Sequence, residues 1–160
     1  MSQTRHYARP SVTVDVVIVA PERGELQVLL IRRKNAPYEG YWAIPGGFVE
    51  PNEPLGIAAL RELREETGAT PTHLEQLHTF GDPGRDPRGW TISVAYIALL
   101  APEELAVWQI EAGSDASKVG WFALTDPPPL AFDHADILAR AANYVADRGT
   151  FVGDAAEPRL

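Results

Sequence analysis

The sequence predicts one mixed α/β domain. Three observations carry this: valine-rich runs of strand character in both halves, a helical pattern in the middle, and a second helical pattern near the end. A chain of 160 residues suits one domain of ordinary size. Its 45% hydrophobic and 22% charged residues match a water-soluble globular protein rather than a disordered tail, a collagen or a coiled coil.

Ser11 to Ala20 opens the fold as a strand, with Val12, Val14, Val16 and Ile18 on one face. Pro21-Glu22-Arg23-Gly24 reads as a turn, and Leu26 to Ile31 as a second strand pairing back on the first. Pro37 to Phe48 is crowded with Gly, Pro and aromatics, which predicts loop with short strand pieces. Pro54 to Thr67 is helical: Pro54 suits a first position, Asn52 or Glu53 a cap, and Gly68 the left-handed stop. Thr72 to Phe80 predicts a strand, Gly81 to Gly89 a loop, and Trp90 to Leu100 a strand. Val119 to Leu124 is a short strand ended by Pro127-Pro128-Pro129. Asp133 to Arg148 is a helix with Ile137, Leu138, Ala141, Tyr144 and Val145 on its apolar stripe. Residues 1–148 thus form a single domain, and 149–160 a tail.

Fourteen basic against twenty-two acidic residues leave a net charge of −8, which counts against a nucleic-acid partner held through phosphates. A metal-bridged anionic substrate remains compatible with it. Without cysteine there is no disulfide, thiolate nucleophile or cysteine metal site. The start of the chain lacks a signal-peptide core, and no apolar run is long enough to span a bilayer. The expectation is a cytoplasmic protein with no membrane partner.

The middle helix contradicts its own stability. Glu62, Glu65 and Glu66 fall within an arc of about 100° on one helix face. Glu62 and Glu66 are a like-charge pair one turn apart, and all three lie near the end where the helix dipole disfavours anions. Arg61 and Arg64 relieve only part of this, while Leu60 and Leu63 point elsewhere, toward a sheet. On its own, such a face is equally a solvated, highly charged surface. As a site, three such carboxylates offer hard oxygen ligands suited to Mg²⁺ or Mn²⁺.

The surrounding residues decide between these readings. Gly47 is followed by five residues, Glu53, seven more, then Arg61-Glu62-Leu63-Arg64-Glu65-Glu66-Thr67-Gly68-Ala69. The segment resembles the signature of the Nudix hydrolases, and the run Trp42-Ala43-Ile44-Pro45-Gly46-Gly47-Phe48 extends the likeness backward. Seven fixed residues arise by chance on the order of once in 10⁸ start positions. Ala69 alone departs, standing where a larger aliphatic residue is usual. The resemblance implies a Nudix-type α/β/α sandwich with a mixed β-sheet, and divalent-metal-dependent hydrolysis of a nucleoside diphosphate linked to another moiety.

The same resemblance implies roles. Glu62, Glu65, Glu66 and the Gly47 carbonyl are the metal positions, with Arg61 and Glu53 as their supporting pair. The base that takes the water's proton is Glu62 or Glu66, or a later acidic residue among Glu103, Glu104, Glu111 and Asp115. Phe80 to Gly89 and the strand after it, with Gly120-Trp121-Phe122 and Leu130 to Leu138, resemble the branch containing ADP-ribose pyrophosphatases and ADP-ribose-sensing regulators. Cleavage of ADP-ribose to AMP and ribose 5-phosphate is therefore the expected reaction. An oxidised nucleoside triphosphate pyrophosphatase and a regulator lacking its DNA-binding domain are the alternatives. Some dozen residues after the last helix are too few for a DNA-binding module, so no nucleic acid is expected. Arg85 and Arg88 are candidates for phosphate or ribose, against ordinary solubilising charge. His134 reads as a capping or packing histidine, Trp42, Trp90, Trp108 and Trp121 as core aromatics or as including an adenine-stacking residue, and the assembly as a homodimer.

Overall fold

The computed structural model describes residues 7–113 and 115–148. Strand β1 (Ser11–Glu22) runs through the middle of a mixed sheet. It pairs antiparallel with β2 (Glu25–Arg33) and parallel with β6 (Thr91–Leu99). Because helices cover both faces, β1 is buried without a break from Thr13 to Ala20. Val14, Val16, Ile18 and Ala20 face one helix layer, while Val17 and Val19 face the other. The strand continues two residues past the expected Ala20, and the turn narrows to Arg23 and Gly24. Their φ values of 51° and 85° suit the tight hairpin that joins β1 to β2.

Two short strands, β3 (Trp42–Ala43) and β4 (Gly46–Phe48), occupy the expected Gly- and Pro-rich loop. β3 pairs with β2, and β4 pairs with the start of β1, placing Gly46 opposite Asp15 and Gly47 opposite Val14. β5 (Glu75–Phe80) forms an edge against β6, starting three residues later than expected. β7 (Ala116–Ala123) lies against β2 and begins three residues before the expected Val119. A short helix the sequence reading missed, α2 (Pro102–Ala106), starts at a proline; Glu104 accepts the Ala101 N–H at 3.1 Å.

Helix α1 (Leu55–Thr67) packs Ala58, Ala59 and Leu63 on the Val14–Val16–Ile18 face. Two expectations about it fail. Leu60 is exposed, because small alanines let the helix axis approach the sheet and rotate Leu60 outward. Neither Asn52 nor Glu53 caps the helix; Pro54 occupies that position without a side-chain bond. The Glu53 carboxylate is instead bound by Arg61 and the Glu50 N–H. Gly68 closes α1 as expected, at φ 76°, with its N–H on the Arg64 carbonyl. Helix α3 (His134–Arg148) covers the opposite face with Ile137, Leu138, Ala141 and Val145. The architecture is an α/β/α sandwich, and the expected tail at 149–160 lies outside the described residues. No helix among those described is long and apolar enough to cross a membrane.

Candidate active site

The site forms where α1 ends beside β4. Gly46 donates its N–H to Glu66 Oε2 at 2.9 Å, tying the helix to the strand. A Cβ on Gly47 would lie 2.5 Å from the Glu62 carboxylate, and one on Gly46 would lie 2.1 Å from the Val14 carbonyl. Glycine at 46 lets β4 lie close on β1, and glycine at 47 leaves room for the Glu62 carboxylate. Glu62, Glu66, Gly46 and Gly47 line one open cleft of about 350 Å³. The face predicted to be shared is therefore split. Glu62 and Glu66 reach the cleft, whereas the Glu65 side chain is 56% exposed and lies outside its lining.

Arg61 organises these carboxylates. Its Nε and Nη2 donate to the two oxygens of Glu53 at 2.6 and 2.9 Å, and Nη1 donates to Glu62 at 2.7 Å. Nη2 also reaches the Phe48 carbonyl, and Nη1 the Glu65 carboxylate at 3.4 Å. These bonds hold the Glu53 carboxyl down at about 2 and push the Arg61 guanidinium pKa further up. Burial raises the Glu62 carboxyl despite Arg61. Glu66 is pushed up to about 8 by burial, only partly countered by the Gly46 N–H, with the charges of Glu62, Asp15 and Asp115 adding to it. Two partly buried carboxylates thus lack a full complement of positive charge, and a hard divalent cation fits that donor set. Among the described residues, no three acidic or histidine side chains converge into a closed metal cage. The two glutamates and the cleft's open side leave room for further oxygen ligands.

Of the later acidic candidates, Glu103 is exposed on α2. Glu104 is occupied by Thr72 and Ala101, on α2. Glu111 belongs to a segment whose backbone packs on the end of α1, its N–H on the Thr67 carbonyl. Asp115 lines the cleft with Glu62 and Glu66.

The loop arginines are not solubilising charge. Arg85, with a side chain only 5% exposed, donates to both oxygens of Asp133 at 2.8 and 2.6 Å, pinning the loop to the start of α3. Arg88 donates to buried Asp86, and its guanidinium lies 4.8 Å from the Phe48 ring and 5.1 Å from the Phe132 ring. The Asp86 carboxyl is raised by burial, but Arg88 outweighs this and lowers it overall. Both arginines line the inner cleft beside Glu66.

Several residues there carried no local sequence signal. Arg33 stacks on Phe132 at 4.9 Å, and burial followed by the neighbouring Arg88 charge lowers its pKa. Asp15 and His134 lie deeper. His134 is buried, its Nδ1 accepting the Ile44 N–H at 2.9 Å, and burial lowers its pKa. None of the four tryptophans lines the cleft beside Glu66; Trp42 packs on Phe122, and Trp90 is exposed.

Comparison with known proteins agrees with this geometry. The chain is 42% identical over 143 residues to the ADPR responsive transcriptional repressor NtrR of Acinetobacter baylyi, covering 87% of this chain but 56% of that protein. It is 41% identical over 138 residues to the ADP-ribose pyrophosphatase of Methanocaldococcus jannaschii, covering 86% and 76% of the two chains. The NUDIX domain of Shewanella oneidensis NrtR, solved in complex with ADP ribose, superposes with a TM-score of 0.78 at 35% identity, covering 87% of this chain and 90% of that one. The NUDIX domain description matches residues 9–141, most of the chain, and on that match the chain belongs to the NUDIX family.

Proposed function

We propose that residues 1–148 act as a single catalytic domain that hydrolyses ADP-ribose to AMP and ribose 5-phosphate with Mg²⁺ or Mn²⁺ bound. The observation that carries this is the pair formed by buried Glu66 and half-buried Glu62, held against Gly46 and Gly47 in one open cleft. The similarity to an ADP-ribose pyrophosphatase and to an ADP-ribose-bound domain supports the substrate.

NUDIX hydrolases are generally divalent-metal dependent. Glu62, Glu66 and the Gly47 carbonyl would hold the ion in this reading, with Glu65 at the rim as a further candidate ligand. The ion supplies charge neutralisation for the pyrophosphate and a lowered pKa for an attacking water. Arg61 and Glu53 keep Glu62 aimed at the cleft. Asp115 accepts the water's proton: it lines the cleft, and no hydrogen bond from a described residue occupies it. Arg88, stacked between Phe48 and Phe132 and paired with Asp86, lines the cleft as a donor toward the diphosphate, while Arg85 fixes the loop that carries it. A cytoplasmic homodimer without affinity for nucleic acid completes the reading; the net charge of −8 supports the last of these alone.

The test is a panel of nucleoside diphosphate compounds and oxidised nucleoside triphosphates, with AMP and phosphate detection. Preferential release of AMP from ADP-ribose is expected. Preference for triphosphates would overturn the substrate, and binding of ADP-ribose without turnover would make the protein a sensor.

A further inference from the structure

Behind Glu66 the cleft narrows into a polar chamber of about 70 Å³, lined among others by Thr13, Asp15, Arg85, Asp86 and His134. Most of its charge is already matched: Arg85 pairs with Asp133, and Arg88 with Asp86. Asp15 and His134 are different. Because His134 Nδ1 accepts the Ile44 N–H, the ring proton sits on Nε2. That Nε2–H faces Asp15 Oδ1 at 3.5 Å, too far for a good hydrogen bond. The other Asp15 oxygen is taken by the Ser93 hydroxyl. A donor and an acceptor from two buried residues therefore stand side by side at the chamber wall, not closely bonded to each other.

We propose that this pair is a hydroxyl-binding subsite for the sugar at the non-adenosine end of the substrate, an assignment that rests on the ADP-ribose reading above. One hydroxyl group matches it: its oxygen accepts from His134 Nε2–H while its proton goes to Asp15 Oδ1. A phosphate does not match, since Asp15 repels it, and a chamber of this size holds the edge of a sugar ring rather than a whole base. The position suits a sugar phosphate. Asp15 is the β1 partner of Gly46, and Gly46 holds Glu66. The subsite thus sorts substrates by a polyol on the distal phosphate, a discrimination that metal-binding glutamates alone do not provide.

The experiment compares kcat/KM for ADP-ribose with that for the ADP ester of cyclopentylmethanol, which keeps the five-membered ring and lacks its hydroxyls. Wild type should favour ADP-ribose by at least about 10²-fold, as expected where a buried polar pair is left unmatched by the analogue. In His134→Asn the side-chain oxygen still accepts the Ile44 N–H but no Nε2–H remains. In Asp15→Asn one acceptor oxygen becomes a donor. Each substitution should lower the preference at least about tenfold, chiefly through KM for ADP-ribose. Both substrates report on the same folded fraction, so this ratio is insensitive to partial misfolding. If a variant does not fold at all, the wild-type comparison decides alone. A wild-type preference near unity means that water fills the chamber, and it overturns the subsite while leaving the ADP-ribose reading standing. Equal losses on both substrates in the variants also overturn it. Cleavage of neither compound by wild type overturns the ADP-ribose reading, and the subsite with it.

Discussion

Glu66 holds the tension of the site in one side chain. Its carboxyl lies buried at the end of a helix, near Glu62, Asp15 and Asp115, and titrates at about 8 rather than 4.5. A folded value above the unfolded one means that the fold favours the protonated form. Its contribution to stability is complete below about pH 4.5 and is lost as pH rises through 8. A shift of this size corresponds to at most about 5 kcal/mol. In chelator, Glu66→Gln should therefore melt well above wild type at pH 8 and near wild type at pH 4.5, as differential scanning calorimetry would read. A constant gap at both values would show that Glu66 is ionised in the fold throughout. Gly47 gives a second test at this scale. In Gly47→Ala the new methyl meets the far end of Glu62, a movable side chain, not backbone. Activity should fall at least about tenfold while the melting temperature moves by only about 3 °C, since roughly 1 kcal/mol shifts a chain of this size by that much. A large drop in melting temperature with activity intact would reverse that account.

At the scale of elements, α1 was the most legible part of the chain, because its glycine stop and its glutamate spacing are local features. What local pattern could not supply is which of its faces packs. Leu60 is the more apolar residue, yet Ala58 and Ala59 lie against the sheet because closeness, not hydrophobicity, sets the approach there. The end of α1 depends on a segment over forty residues away in sequence. Gly113 donates its N–H to the Glu66 carbonyl at 2.8 Å and Glu111 donates to Thr67, satisfying carbonyls that the helix leaves open. A Cβ on Gly113 would lie 1.7 Å from the Glu65 carbonyl oxygen. Gly113→Ala should therefore displace the segment and cost about 2 kcal/mol or more, seen as a lower urea midpoint. An unchanged midpoint would show that this segment does not brace the helix. The same displacement should weaken turnover, since Asp115 lies two residues further on.

Across the whole molecule, the glutamate face of the cleft was legible as a local spacing, whereas most of what surrounds it was not. Glu62, Glu65, Glu66 and their supports lie within one segment of the chain, so their spacing survives in the sequence. Arg33, Asp15, Phe132 and His134 come from β2, β1 and the start of α3, and only the pairing of β1 with β4 and the docking of α3 bring them together. The loop arginines show the same limit: their presence was visible, but Asp133 as the partner that fixes Arg85 was not. Metal binding should also stabilise the whole fold, because the ion binds the folded site and relieves its carboxylates. At pH 8, adding Mn²⁺ should raise the melting temperature of wild type by several degrees and of the Glu62, Glu65, Glu66 triple Gln variant hardly at all. An equal rise in both would place the ion elsewhere.

The most direct test joins the glutamate face to the reaction. Wild type and Glu66→Gln are assayed for kcat/KM on ADP-ribose at saturating Mg²⁺, with products separated by chromatography. The account predicts AMP and ribose 5-phosphate from wild type and a loss of at least about 10²-fold in the variant, some 2.7 kcal/mol of transition-state stabilisation, without unfolding. Activity in the variant within a few-fold of wild type would contradict it.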